Sequence, residues 1–207
     1  MFGCRHAPLT LAPEIERTLA AAYAEPHRAY HTAAHIAEVL RWYDWVAAEV
    51  GWREPTAVYL AALFHDTVYD PLAKDNEARS AALARQRLAA AASPTVDATT
   101  LDRCADLILL TARHGALEPA AVAADPDAAH FLDCDTAILG APPAEFDAYD
   151  AAVAAEYRQV PAAAFRAGRR AFLTGLLARP RIFLSDRFHA RLDAAARANL
   201  ARAAARY

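Results

Sequence analysis

Apolar residues recur at three- and four-residue steps along most of the chain, the spacing that places them on one face of an α-helix. The stretch from about His31 to Val50 carries the clearest stripe, made of Ile36, Val39, Leu40, Tyr43, Val46, Ala47 and Val50. The stripe stops at Gly51, a residue that favours helix ends. The pattern therefore predicts a long helix with one buried face.

Proline, glycine and polar turn signals divide the remainder into further helical segments. Gly115 to Asp127 holds two prolines and is predicted to be a loop with at most one short turn. The segments predicted besides His31–Val50 run, approximately, over Pro13–Tyr23, Pro55–Tyr69, Asn76–Ala92, Thr99 or Thr100 to Thr111, Phe131–Gly140, Pro142–Tyr157, Pro161–Ala178 and Asp186–Arg206.

Composition supports the same fold class. The 207 residues include 57 Ala and 22 Leu, which are strong helix formers, but only 9 Val and 5 Ile. The length suits one domain, and we find no internal repeat and no long linker. We predict an all-α, single-domain helical bundle of about eight helices spanning residues 1–207.

Charge and apolar runs exclude several classes of protein. The formal net charge is −3, without the basic excess typical of nucleic-acid or membrane-surface binders. The longest apolar run, Ala57 to Phe64, is far shorter than the roughly 20 residues of a membrane span. The stretch from Met1 to Thr10 has no apolar core long enough for a secretory signal, so we expect none. The three cysteines, Cys4, Cys104 and Cys134, are odd in number and lack metal-site spacing. We expect a cytoplasmic protein with no membrane association and no stable nucleic-acid binding; the sequence leaves its oligomeric state open.

Histidines and carboxylates interrupt the apolar segments at three places. His31 and His35 are four residues apart, which on a helix places both on one face. The pair His65-Asp66 ends an otherwise apolar helix, where a carboxylate is costly to bury unless it is paired or binds a cation. Two further carboxylates, Asp133 and Asp135, lie in another apolar segment. Imidazoles and carboxylates together suit a divalent transition metal, held between the helices of a bundle.

The order His35, His65-Asp66, Asp135 resembles the H…HD…D pattern of the HD-domain superfamily, and in particular the bacterial group of predicted metal-dependent HD phosphohydrolases. The resemblance covers about residues 30 to 140 and extends to the helix from Tyr149 through Tyr157-Arg158. Four strings carry it: Tyr30 to Ile36, Phe64 to Asp70, Asn76-Glu77 with Ser80, and Phe131 to Gly140. It implies an HD-type domain with the metal-site core at about 27–140 and C-terminal helices at 143–207 packed on that core.

The resemblance also implies roles at the metal site. The first string is similar to the Tyr-His-Asn-x-x-His-Ala stretch of cyclic nucleotide phosphodiesterases, which makes His31 the general acid and His35 a metal ligand. His65, Asp66 and Asp135 would complete the ligand set, with Asp133 as the alternative to Asp135. Asp66 would bridge a second ion, such as Mg, if one is present.

The expected activity is hydrolysis of a phosphoester in a nucleotide or another small phosphorylated metabolite. A metal held by these ligands would lower the pKa of a bound water, and the resulting hydroxide would attack phosphorus. The metal is Mn, Fe, Co, Ni or Zn, since all suit such ligands.

Other residues near the motifs are expected to assist. We expect the positively charged side chains of Arg28, Lys74 and Arg113 to bind the phosphate of the substrate. Glu77 is expected to orient a water or a ligand histidine, and His114 to line the pocket or bind a second metal. The string around His65 also resembles His-Asp-Thr-Val-Glu-Asp of alarmone hydrolases. This chain has Tyr69 in place of the Glu, so the catalytic acidic pair is incomplete, which argues against alarmone hydrolysis; Asp70, the second acid of the pair, is present.

Two alternative functions stay open at this point. One is an HD-type diiron oxygenase, although such sites usually need two more histidines between the HD pair and the last Asp, where only His114 and His130 lie. The other is a non-catalytic ligand-binding module in which the metal is structural. The substrate's identity and the number of ions do not follow from these residues.

Overall fold

The structure is a computed structural model that describes residues 2–91, 96–113 and 115–207. Within these ranges it is all-α and contains no strand, which confirms the predicted fold class. The helices described are α1 Pro13–Ala22, α2 Ala33–Glu49, α3 Pro55–Phe64, α4 Asn76–Ala90, α5 Ala98–Thr111, α6 Pro126–Thr136, α7 Pro143–Glu156, α8 Ala162–Leu177 and α9 Asp186–Ala204. Two short 3₁₀ turns, Pro119–Val122 and Ala137–Gly140, flank α6.

The chain divides into two compact units, Met1–Ala116 and Leu117–Tyr207. The first contains α1 to α5, and the second contains α6 to α9. The single-domain organisation stays a prediction.

The first unit is built around α3. Every residue from Ala57 to Phe64 is buried, so this helix is covered on all sides. Its neighbours are α2, α4 and α5. As a result, the residues that follow Phe64 emerge directly from the interior of the unit.

The start of α2 corrects one prediction. Thr32 caps this helix, and its side-chain oxygen accepts a hydrogen bond from the Ala34 N–H at 3.3 Å. The helix therefore begins at Ala33, and His31 lies in the preceding turn instead of one helical turn before His35 on the same face. The predicted apolar stripe is buried at Ile36, Val39, Leu40, Tyr43 and Val46.

The second unit is organised by α9, which packs against α7, α8 and the 3₁₀ turn Ala137–Gly140. Asp133 on α6 anchors the segment before α9, since its two carboxylate oxygens accept hydrogen bonds from the Leu184 and Ser185 N–H groups, each at 2.7 Å. Ser185 then caps α9 by accepting from the Phe188 N–H.

Other helix ends differ from prediction by a few residues. Helix α3 ends at Phe64 rather than near Tyr69, so His65 and Asp66 follow the helix. Asp97 caps α5 in place of Thr99 or Thr100, by accepting from the Thr100 N–H. The predicted end of the fourth helix at Ala92 lies outside the described residues, and α4 as described ends at Ala90. Of the helices that the structure describes, none is both long and apolar enough to cross a membrane.

Candidate metal centre

Two helices of the first unit bring His35, His65 and Asp66 together. His35 lies in the first turn of α2 and is 5% exposed. His65 is the C-terminal cap of α3 and is 1% exposed, while the side chain of Asp66, the next residue, is 20% exposed. The group thus has two buried imidazoles and one carboxylate that reaches solvent.

Three donor atoms of this group converge. The Nε2 atoms of His35 and His65 are 3.2 Å apart. Asp66 Oδ2 lies 3.1 Å from His65 Nε2 and 3.5 Å from His35 Nε2. Three atoms that act as metal ligands in proteins therefore surround one point at the end of α3.

The backbone fixes the tautomer of His65. Its Nδ1 lies 3.0 Å from the carbonyl oxygen of Ala62, which can only accept a hydrogen bond. In the neutral form of His65 the proton is therefore on Nδ1, and Nε2 then presents a lone pair toward His35 and Asp66. A carbonyl oxygen behind the ring is also how proteins commonly orient a histidine that binds metal.

The separations fit a divalent transition ion. Metal–nitrogen and metal–oxygen bonds of about 2.0–2.2 Å at tetrahedral or octahedral angles place neighbouring ligand atoms about 2.8–3.6 Å apart. The observed distances of 3.1, 3.2 and 3.5 Å lie within this range. These residues therefore match the donor set and the spacing that such an ion requires.

Asp66 carries the negative charge that a metal-binding carboxylate needs. Burial acts to raise the pKa of its carboxyl, but the positive charges of protonated His65 and His31 and hydrogen bonds from His35 and His65 outweigh that effect and hold the pKa well below its usual range. Asp66 is therefore an anion at neutral pH.

Aromatic rings surround His31 beside the group. Its ring centroid is 4.1 Å from that of Tyr69, 5.0 Å from that of Tyr30 and 5.8 Å from that of His35. Tyr69 also lies parallel to His27, whose Nε2 is 2.8 Å from the Tyr69 carbonyl oxygen. Sequence reasoning assigned no role to Tyr30 or Tyr69, although both adjoin the histidine motifs.

Arg28 has a different role from the predicted phosphate binding. The residue is 7% exposed, and its guanidinium lies between the turn that precedes α2 and the segment that follows α3. It donates to the carbonyl oxygens of His31, Asp66 and Thr67 and to the carboxylate of Glu25. These partners occupy its N–H groups, so Arg28 ties the chain together instead of facing a substrate.

Asp70, predicted to be catalytic, forms part of the turn before α4. Its carboxylate accepts from the Leu72 N–H at 2.9 Å, and the Asn76 side chain bonds both its backbone N–H and its carbonyl oxygen. Asp70 is exposed, and its catalytic role stays a prediction.

Of the remaining predicted residues of the first unit, those that the structure describes are exposed or half-buried. Glu77 is half-buried in the first turn of α4, three residues before Ser80, which bonds the backbone of Val68. Lys74 and Arg113 are exposed, before α4 and after α5 respectively. His114 lies outside the described residues. The roles of these four residues stay predictions.

The two acidic candidates of α6 differ in environment. Asp133 is 1% exposed, and the amides of Leu184 and Ser185 occupy both of its oxygens. Burial raises the pKa of its carboxyl to about 7, against the lowering effect of those hydrogen bonds. Asp133 is therefore an anchor of the second unit. Asp135 is half-buried on α6, and its role as a ligand stays a prediction.

The chain matches no family model, no curated protein and no solved structure in the comparisons with known proteins.

Proposed function

We propose that the protein is a metal-dependent phosphohydrolase that acts on a phosphoester of a nucleotide or another small phosphorylated metabolite. The observation that carries the proposal is the convergence of His35 Nε2, His65 Nε2 and Asp66 Oδ2 within 3.5 Å of one another. The same residues form the His…His-Asp part of the pattern by which the chain resembles HD-domain phosphohydrolases.

The ligands of the ion would be His35, His65 and Asp66. A bound divalent transition ion supplies two kinds of chemistry, a lowered pKa of water and stabilisation of negative charge on phosphoryl oxygens. The buried imidazoles keep the centre rigid, and the partly exposed side of Asp66 gives solvent access to it.

His31 is the proposed general acid. Its ring lies against Tyr69 and near His35, and its positive form contributes to the low pKa of Asp66. A protonated imidazole can give its proton to a departing oxygen. The packed Tyr69 ring restricts the orientation of His31, which is what proton transfer to one atom requires.

The proposed setting is cytoplasmic. Cys4, Cys104 and Cys134 are all free thiols in the structure, which suits a reducing compartment. The proposed partner is a small phosphorylated substrate rather than a membrane or a nucleic acid.

The test is phosphate release from a panel of nucleotides and sugar phosphates, with Mn, Co, Ni, Mg, Fe or Zn supplied in turn to metal-free protein. We expect activity that follows metal occupancy. In His31→Gln, kcat should fall about 10²–10⁴-fold with metal binding unchanged, because only the proton donor is lost.

The matched control is His189→Gln, which changes a histidine that pairs with Asp193 in the second unit. It should retain wild-type kcat. The absence of hydrolysis with every metal would overturn the proposal. Turnover that requires iron and oxygen would instead support a diiron oxygenase, and tight ligand binding without turnover would support a binding module.

A further inference from the structure

Arg28 connects the two chain segments that carry the candidate metal ligands. It precedes α2 by five residues, and its side chain is fully buried. Its NH1 group donates to the carbonyl oxygen of His31 at 3.0 Å and to that of Asp66 at 2.7 Å. Its NH2 group donates to the carbonyl oxygen of Thr67 at 3.0 Å. One planar group thus joins the turn before His35 to the Asp66 backbone.

These carbonyls need the donors that Arg28 supplies. Asp66 and Thr67 follow the end of α3, where no further helical turn provides N–H groups for their oxygens. A buried carbonyl without a donor costs roughly 1–3 kcal/mol. An arginine fork can satisfy three carbonyls in a fixed geometry, whereas a lysine ammonium is a point charge on a flexible stem.

The surroundings hold the guanidinium in one orientation. Its Nε and NH2 atoms are each 2.9 Å from Glu25 Oε2. Its central carbon also lies over the rings of Tyr23 and Tyr69, 5.3 and 5.4 Å from their centroids. The charge is therefore compensated without any ligand, and the contacts are directed at the protein backbone.

The position of Asp66 depends directly on these hydrogen bonds. Its carbonyl oxygen is bound to Arg28, and its side-chain Oδ2 is the atom that meets the two histidine nitrogens. A metal centre requires its ligands to be held within about 0.5 Å of the working geometry. We propose that Arg28 is a positioning residue that sets the arrangement of Asp66 and His35 for metal binding. This inference rests on the proposed metal-dependent function.

The test is a Co²⁺ titration of the metal-free full chain, followed by the visible absorption of the bound ion. The variants are Arg28→Lys, which keeps the charge but loses the fork, and Arg28→Met, which loses every donor. We expect both to bind Co²⁺ about 10–100-fold more weakly than wild type, the range seen when groups that orient ligands are removed. The absorption band should also change shape, because the ligand arrangement is altered.

The matched control is Arg169→Met. Arg169 is also a buried arginine, 8% exposed, paired with Asp150 and placed over the rings of Tyr149 and Phe172 in the second unit. If removing a buried arginine weakened Co²⁺ binding only by destabilising the fold, Arg169→Met would bind Co²⁺ more weakly too. We expect instead that its Co²⁺ affinity and spectrum equal those of wild type.

Three results would overturn the inference. A Co²⁺ affinity and spectrum of Arg28→Lys equal to those of wild type would contradict a positioning role for Arg28. An equal loss in Arg169→Met would show that the effect is general destabilisation. Wild type that binds no Co²⁺ would overturn the proposed function, and this inference with it. If Arg28→Met does not fold, Arg28→Lys carries the comparison.

Discussion

Two imidazole nitrogens that face each other in a protein interior repel unless a proton or a cation lies between them. His35 Nε2 and His65 Nε2 are in this situation, 3.2 Å apart, and the Ala62 carbonyl keeps the proton of neutral His65 on the far side of its ring. Asp66 Oδ2 adds a negative charge at the same point. At the scale of single residues, His35, His65 and Asp66 together therefore favour a bound cation more strongly than any one of them would alone.

A second property at this scale is the titration of Asp133. Burial raises the pKa of its carboxyl to about 7, above the ordinary value of 3.8. The folded protein therefore keeps a proton that the unfolded chain has already lost, and this contribution to stability is lost as the pH rises from about 4 through 7.

We therefore predict that wild type loses about 2 kcal/mol more stability than Asp133→Asn between pH 5 and pH 8. The measurement is the free energy of unfolding in urea at both pH values. Histidines titrate in both proteins, so the difference between the two reports on Asp133. Equal losses would show that the carboxyl does not hold its proton in this range.

At the scale of elements, the approach of α9 to the 3₁₀ turn Ala137–Gly140 requires a glycine. A Cβ atom added at Gly140 would lie 2.6 Å from Leu192 Cβ and 3.0 Å from the Leu192 carbonyl oxygen. Neither atom is at the end of a flexible side chain, so the turn and the helix would have to separate.

Gly140→Ala should therefore destabilise the protein by about 1–3 kcal/mol, the usual effect of overpacking. The control is Gly175→Ala on α8, where an added Cβ meets nothing within 4 Å. It should stabilise the protein by about 0.5–1 kcal/mol, because alanine loses less backbone entropy than glycine in a helix. Thermal unfolding of the two variants measures both effects, and an unchanged midpoint for Gly140→Ala would contradict the packing described.

The helices could be predicted from sequence because each has a stripe or a run of apolar residues. The ends of the helices were predicted less accurately, because capping residues and side-chain hydrogen bonds determine where a helix starts and stops. Thr32 is a standard capping residue, and it places the start of α2 after His31. The apolar run of α3 ends at Phe64, and the segment beyond it is held by Arg28 and Ser80 instead of by helical hydrogen bonds.

At the scale of the whole molecule, the sequence predicted the all-α class from its alanine and leucine content. It also identified His35, His65 and Asp66, because their order along the chain resembles a known pattern. The role of Arg28 was not predictable in this way. Its partners, the backbone carbonyls of Asp66 and Thr67, are 38 and 39 residues away. Every residue has a backbone carbonyl, so the sequence does not indicate which ones accept a hydrogen bond from Arg28.

The central claim is that His35, His65 and Asp66 hold a divalent transition metal. The most direct measurement is the metal content of the purified protein by elemental analysis, for wild type, His65→Ala and Asp66→Ala, with His189→Gln as the control. We predict metal in wild type and in the control, and its loss from both ligand variants. Wild type that takes up no transition metal, or a His65→Ala variant that retains it in full, would contradict the account.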